Sequence, residues 1–288
     1  MTTSGYNRII PDLPRSAYDK AEGLNASSIV HGVKSMKHMR YSIQNPKDAT
    51  LQMRWGNLVH SVLLEPERFE RDCVVWDGAK RGNAWKEFLE ETEEGKEIIT
   101  AEESEILQST IEAFTANKAA VDLFRDCSKE CSFFWETPQY GKAKSRLDGY
   151  SPNLIAELKT TNDISPTGFQ RIAAKLLYHV RAGWYQVGVR ELIGRLLPVY
   201  VACIEADPPH DIVVYEYSEE ALAVGRDVSQ AVAKKYRECE ANGVYPGVCE
   251  DVRTLKLPDW MMKGDNPLAL VVNGTSIEDL QEIQPKEL

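Results

Sequence analysis

Apolar and polar residues follow two different periods along this chain, and the first part of the chain has the period of helices. Four segments there place apolar residues at helical spacing: 25–43, 53–69, 82–95 and 100–124. We expect Pro66 to end the second helix, because proline cannot donate the next backbone hydrogen bond. Thr100 and Glu103 have the spacing of a capping box at the start of the fourth helix. The short apolar run at 73–76 is typical of a strand.

The pattern changes in the middle of the chain, where short apolar runs are separated by turn-forming residues. We expect strands at 130–137, 141–150, 153–160, 196–206 and 211–218, and helices at 165–177, 178–194 and 219–242. This order is typical of an α/β (or α+β) fold with a central mixed β-sheet flanked by helices. The chain is then expected to have an arm at 1–23, one domain at 24–262 and a mobile acidic tail at 263–288.

Composition narrows the cellular setting. The 288 residues contain no run near the roughly 18 apolar residues of a membrane span, and the first residues lack a secretory signal. We therefore expect a cytoplasmic protein without a membrane partner. The six cysteines do not have the spacing of a zinc site, and their pattern does not support an iron–sulfur cluster. In an intracellular protein disulfides are not expected either.

Charge is distributed unevenly along the chain. The net charge of −10 argues against a protein that coats nucleic acid through a general basic surface, because Lys and Arg supply most non-specific affinity for phosphate. Between residues 138 and 200, however, nine Lys and Arg stand against four Asp and Glu. A basic patch of this kind suits a DNA channel, although surface lysines without a function would give the same count.

Two acids and a lysine interrupt the apolar pattern of two neighbouring strands. If these strands pair through the turn between them, Asp148 and Glu157 come together, and Glu157 and Lys159 share a face of the sheet. Two neighbouring buried carboxylates are costly unless protons or a cation neutralise them, and Mg²⁺ is the cation that suits carboxylates and phosphate oxygens. The lysine would orient or deprotonate the attacking water, or stabilise charge on a phosphate. The alternative is a salt bridge on an exposed strand face.

The stretch RLDGYSPNLIAELKTT resembles the motif of PD-(D/E)xK nucleases, in the form found in exonuclease VIII (RecE) and RecB-type enzymes. Asp148, Glu157 and Lys159 take its acid, acid and lysine places. Further segments fit in the same order and extend the resemblance from about Leu24 to Trp260. The resemblance implies a restriction-endonuclease-like core.

Residues outside this stretch take their roles from the same resemblance. It implies that His60 lies at a metal-binding histidine, although a lone histidine on an apolar helix is ordinarily a core residue. Glu130 matches a recurrent acid, and Tyr185 matches the tyrosine of a downstream helix. Arg181 is a departure, because the group usually has glutamine there.

The resemblance implies a metal-dependent exodeoxyribonuclease. Its metal, Mg²⁺ or Mn²⁺, would be held by His60, Asp148 and Glu157, and Lys159 would act on the water. Supporting or DNA-contacting positions are Glu130, Arg146, Thr160, Arg181 and Tyr185.

The resemblance also implies a substrate and partners. The substrate would be the end of linear double-stranded DNA, degraded 5′ to 3′ to leave a 3′ single strand for a RecT-like annealing protein. Such enzymes belong to phage or prophage recombination systems and form ring-like homo-oligomers. Two alternatives stay open: a nuclease-fold scaffold that binds DNA or a recombination partner without cutting, and a single-strand exonuclease of the CRISPR-associated type. The second generally carries four cysteines for an iron–sulfur cluster.

Overall fold

A computed structural model describes residues 5–46 and 49–256, which form eleven helices and eight strands. The helices are α1 Arg15–Lys20, α2 Ala26–Lys34, α3 Met36–Gln44, α4 Leu51–Leu64, α5 Pro66–Asp72, α6 Gly82–Glu91, α7 Ala101–Ala116, α8 Lys118–Arg125, α9 Pro166–Lys175, α10 Tyr178–Ile193 and α11 Glu219–Asn242. The strands are β1 Arg8–Ile10, β2 Cys73–Trp76, β3 Glu97–Thr100, β4 Ser128–Thr137, β5 Gly141–Ser151, β6 Leu154–Thr161, β7 Val199–Glu205 and β8 Ile212–Glu216.

The expected central mixed sheet with flanking helices is confirmed. Six of the described strands form it in the order β1-β4-β5-β6-β7-β8, and β2 and β3 form a separate parallel pair. Within the large sheet β6 and β7 are parallel and the other neighbours are antiparallel. None of the helices in the described residues combines the length and apolar content that a membrane crossing requires.

Strand β6 is buried on both faces, and this places its polar residues inside the protein. Ile155 packs in a cluster with α2, α10 and α11, whereas Ala156 and Leu158 pack in a cluster with α4, α7 and α8. A strand that alternates between two cores normally carries apolar residues at every position. Glu157 departs from that rule while only 4% exposed, so its charge must be balanced locally.

Two of the predicted helices are each divided by a capping residue. The helix expected at 25–43 stops at Ser35, which is extended and accepts a hydrogen bond from the backbone N–H of His38. The helix expected at 100–124 stops at Asn117, whose side chain accepts from Ala120 N–H. In both cases a side-chain oxygen accepts a hydrogen bond from a backbone N–H that has no carbonyl partner within the helix, and a new helix starts at that residue. The capping box of Thr100 and Glu103 is confirmed, and α4 ends at Leu64, before Pro66, as expected. Pro66 also begins a further helix, α5, which was not predicted from the sequence.

Two short strands were absent from the predicted set. β3 has only four residues and gains its order from pairing with β2. β1 lies in the predicted arm and pairs with β4, so that Arg8 stands opposite Phe134 and Ile10 opposite Ser132. Three residues are too few to show a period of two.

The chain divides into the units Met1–Val248 and Cys249–Leu288. In the second unit the structure describes residues 249–256, so the predicted tail at 263–288 lies outside the described residues.

Helices α10 and α11 approach each other closely at two glycines. A Cβ atom at Gly183 would lie 2.2 Å from the carbonyl carbon of Gly225, and one at Gly225 would lie 2.0 Å from the carbonyl oxygen of His179. Both obstacles are backbone atoms of packed helices, which cannot rotate away. The close crossing therefore requires glycine at both positions.

We predict that Gly183→Ala lowers the free energy of unfolding by about 2 kcal/mol, because overpacking outweighs the better helix propensity of alanine. Urea unfolding followed by circular dichroism measures the change. Gly247→Ala is the matched control, because a Cβ there would meet nothing within 4 Å; it should be neutral or slightly stabilising. Equal stability of the two variants would contradict the packing argument.

Candidate active site

Asp148 lies where the hydrogen-bond ladders of β5 are interrupted on both sides. Towards β4 the register passes from Lys129 opposite Gly149 to Cys131 opposite Leu147, which leaves Asp148 unpaired in the ladder. Towards β6 the ladder ends at Gly149 opposite Ala156. Beyond that point the Asp148 carboxylate itself accepts from the backbone N–H of Leu158, at 2.8 Å. This bond fixes one oxygen of Asp148 against β6.

Glu157 and Lys159 extend from β6 towards the same carboxylate. Lys159 Nζ donates to Glu157 Oε2 at 2.7 Å and lies 3.5 Å from Asp148 Oδ2. It also donates to the carbonyl oxygen of Leu158 at 2.9 Å, and lies 5.8 Å from the ring centre of Tyr178. Lys159 therefore contacts both predicted acids, Asp148 and Glu157.

Helix α4 brings His60 to the other side of Asp148. His60 Nδ1 lies 3.6 Å from Asp148 Oδ1 and 3.9 Å from Glu130 Oε1. Gly56, one turn earlier, faces β6: a Cβ atom there would be 3.6 Å from Thr160 Oγ1, an ordinary van der Waals distance. The structure thus brings His60, Asp148 and Glu130 together. The predicted metal ligands are His60, Asp148 and Glu157, with Glu130 in a supporting position, and these roles remain predictions.

Glu130 reaches this cluster through an unusual backbone. Its φ is +47°, in the left-handed region that residues other than glycine rarely adopt. Such conformations often lie at functional sites, where the surrounding structure holds them in place. Here Arg146 Nε donates to Glu130 Oε2 at 2.5 Å, which leaves Oε1 facing His60.

The charges of the cluster depend on one another. Burial raises the pKa of Glu157 to about 7, with a further increase from Asp148 and an opposing effect of Lys159. Burial lowers the pKa of Lys159, but Glu157 and Asp148 raise it by more, so the ammonium form is favoured. For His60 the pKa is raised as well, because Asp148 and Glu130 outweigh burial. Glu130 has a pKa lowered to about 2, since His60 and Arg146 outweigh the effect of burial.

The donor set fits a divalent cation. One ligand atom each from His60, Glu130 and Asp148 lie within 4.8 Å of one another, so small side-chain rotations would bring them to the roughly 2.1 Å metal–ligand distances of Mg²⁺. Glu157 Oε1 is buried, and no group in the described part of the chain offers it a hydrogen bond. A buried carboxylate oxygen without a partner is costly, and a cation would remove that cost. Carboxylate oxygens are the ligands that Mg²⁺ and Mn²⁺ prefer.

Other predicted residues lie around this centre. Tyr185 is buried on α10, and burial together with the charge of Glu157 raises its pKa well above the usual value. Arg181, one turn earlier, is partly exposed and donates from Nη1 to Ser27 Oγ at 2.9 Å. Thr160 follows Lys159 on β6. Contacts of these residues with DNA remain predictions.

Arg146 differs from the expectation for a DNA-contacting residue. Its side chain is only 5% exposed, and its donors are directed to Glu130, Ser132 and the backbone oxygen of Leu13. The neighbouring basic residue Lys144 is buried too. The basic patch expected at 138–200 is therefore partly internal, because the segment before α2 covers this end of β5. Charge counts along a sequence do not show which segment will cover a cation.

Comparisons with known proteins agree with this fold. Residues 31–258 match the family described as a PDDEXK-like domain of unknown function (DUF3799). The crystal structure of a candidate exonuclease from Eubacterium rectale is similar over 88% of this chain and 99% of its own, with a TM-score of 0.61 and 15% sequence identity. A phage-related exonuclease from Haemophilus somnus 129PT is 14% identical over 77% of this chain and 96% of its own, but its TM-score of 0.33 is too low to support an argument. Among curated proteins none matches.

We predict that the free energy of unfolding of the metal-free protein falls as the pH rises from about 4.5 to about 7. Glu157 causes this fall, because folding raises its pKa from 4.5 to about 7. In that range the folded state holds a proton that the unfolded chain has released, so the free energy of unfolding falls as the pH rises. The contribution is on the order of 3 kcal/mol. Urea unfolding in EDTA at both ends of the range should show this loss in the wild type and a smaller one in Glu157→Gln. The same pH dependence in both proteins would contradict the prediction.

Proposed function

The chain belongs to the PDDEXK-like family DUF3799, and from this premise we propose that it is a divalent-metal-dependent exodeoxyribonuclease. One observation carries the proposal: two carboxylates, a lysine and a histidine from three separate elements meet at an interruption of the sheet. So many buried charges lower the free energy of unfolding, so a purely structural role does not explain them. A site for a cation and a phosphate accounts for all of them.

The residues divide the chemical work between them. His60, Asp148 and Glu157, with Glu130 beside them, would hold the metal, which when bound supplies Lewis-acid activation of the phosphate and the water. Lys159 is kept charged by its two carboxylate neighbours. It therefore acts as a hydrogen-bond donor that orients the water or stabilises charge on the phosphate, whereas a proton-accepting role would require the neutral amine. Strand β6 holds Lys159 rigidly, so its Nζ needs little reorganisation.

The finer parts of the proposal rest on the resemblance to exonuclease VIII. We propose linear double-stranded DNA ends as substrate, degradation 5′ to 3′, Mg²⁺ as the natural metal with Mn²⁺ as a substitute, and a 3′ single strand as product. A RecT-like annealing protein would receive this strand, and a ring-like homo-oligomer would hold the duplex. The low sequence specificity expected of such an enzyme follows from contacts to phosphate and sugar, which carry no base information.

We predict that Mg²⁺ or Mn²⁺ stabilises the protein through this site. At a metal concentration about 100 times its Kd, the free energy of unfolding should rise by about 2.7 kcal/mol. Thermal unfolding with and without EDTA measures the effect. Asp148→Ala should abolish it, whereas Asp122→Ala, at a surface carboxylate paired with Lys118 and Arg125, should retain it. Stabilisation that survives in Asp148→Ala would place the metal elsewhere.

We predict cleavage of linear duplex DNA that begins at the 5′ end. Duplexes labelled separately at either end should lose the 5′ label first in Mg²⁺, with no cutting in EDTA or of a closed circle. Lys159→Ala should lower kcat by at least about 10²-fold, because it removes a donor to the reacting phosphate or water.

Lys235→Ala is the control for this experiment, because Lys235 is exposed on α11 and, within the described residues, forms its ion pair with Glu238. It should cut at the wild-type rate. First loss of the 3′ label would reverse the proposed polarity. Absence of cutting with any divalent metal would contradict the proposed function and favour a DNA-binding scaffold.

A further inference from the structure

We propose that Arg146 is a positioning residue of the metal site and that the N-terminal segment, residues 8–24, completes the site by holding its guanidinium. This inference rests on the proposed function, since it concerns how the groups that would bind the metal are arranged. It assigns Arg146 to the interior of the enzyme and not to the DNA surface. It also makes the segment before α2 a part of the catalytic unit.

The guanidinium of Arg146 is surrounded by acceptors. Nε donates to Glu130 Oε2 at 2.5 Å, and Nη1 donates to the carbonyl oxygen of Leu13 at 2.6 Å and to Ser132 Oγ at 3.3 Å. Nη2 lies 3.9 Å from Glu65 Oε1. The group thus contacts β4, the N-terminal segment and the end of α4 at once. The planar guanidinium has several N–H donors that point in different directions, so it can bind acceptors from several elements at once, which a single ammonium group cannot reproduce.

These contacts join the three elements that carry the candidate metal ligands. Glu130 lies on β4, and Glu65 follows directly after α4, the helix of His60. Arg146 itself precedes Asp148 by two residues on β5. One side chain therefore sets the relative position of His60, Glu130 and Asp148.

The contact with Glu130 has a further effect. Because Arg146 takes one oxygen of this carboxylate, the other oxygen faces His60. Groups that orient metal ligands in this way usually change metal affinity by 10- to 100-fold when they are removed. The left-handed backbone of Glu130 makes such support more important, because the conformation is not the one the residue would adopt alone.

The N-terminal segment holds β5 through a second cation as well, and that cation provides the matched control. Lys144 Nζ donates to the carbonyl oxygens of Tyr18, Asp19 and Ala21 at 2.7, 3.2 and 2.6 Å. Like Arg146, Lys144 is a buried base on β5 that binds backbone oxygens of this segment. Unlike Arg146, it has no contact with Glu130, Glu65 or any other residue of the metal site among its described partners. Loss of Lys144 should therefore affect stability and spare the metal.

The experiment compares Arg146→Gln, Arg146→Lys and Lys144→Met in the full chain. Mn²⁺ binding is measured by isothermal titration calorimetry without DNA, thermal unfolding reports stability, and kcat and KM for DNA are measured over a range of metal concentrations. We expect Arg146→Gln to weaken Mn²⁺ binding by about 10- to 100-fold, with a lower kcat that high Mn²⁺ restores. Arg146→Lys, which keeps the buried charge and therefore the fold, should show an intermediate loss. Lys144→Met should lower the unfolding temperature and bind Mn²⁺ like the wild type.

Two results would overturn this inference. If both Arg146 variants bind Mn²⁺ like the wild type and raise the KM for DNA, Arg146 is a DNA contact. If the Arg146 variants differ from the wild type only as Lys144→Met does, its role is structural. In either case the wild type still binds Mn²⁺ and cuts DNA. A wild type that neither binds Mn²⁺ nor cuts would instead contradict the proposed function itself, which distinguishes the two failures.

Discussion

The burial of charge at the interruption between β5 and β6 is the constraint on which the candidate site depends. Glu157 occupies a strand position that faces protein on both sides, and its neighbour Asp148 raises its pKa further. A buried pair of carboxylates is costly unless protons or cations offset the charge that burial desolvates. Lys159 offsets part of this cost, and Glu157 Oε1, which has no hydrogen-bond partner in the described residues, is free to accept a proton or a further cation. The same imbalance of charge that would weaken the metal-free fold fits the site for the metal that we propose.

The surrounding elements can be understood as supports for this arrangement. Helix α4 faces β6 with Gly56 near Thr160, and the same helix places His60 beside Asp148. The left-handed backbone of Glu130 directs its carboxylate inwards, where Arg146 holds it. On the other face, the glycines of α10 and α11 permit the close crossing of these helices, and Tyr185 of α10 packs in the same core cluster as Ile155 of β6.

Much of the site could be predicted from the sequence, and the features that were missed had different causes. The proximity of Asp148, Glu157 and Lys159 could be predicted from the period-two spacing of strands and one turn, which are local properties. His60 and Glu130 were identified from the resemblance to a nuclease family, whose segments occur in the same order along the chain. The burial of Arg146 depends on Leu13, 133 residues earlier in the chain, and no local pattern shows that contact. The divided helices at Ser35 and Asn117 were missed although both residues are good caps, because apolar spacing continued across them. Three-residue β1 offered no period to recognise.

The most direct test of the central claim is to locate the metal. Crystals soaked in Mn²⁺ and measured with anomalous scattering would show where the cation binds, independently of whether DNA is cut. We expect a peak within coordination distance of Asp148, bounded by His60 and by the carboxylates of Glu130 and Glu157. A peak away from these side chains, or none at a saturating Mn²⁺ concentration, would mean that their charges serve another purpose and would contradict the account of this site.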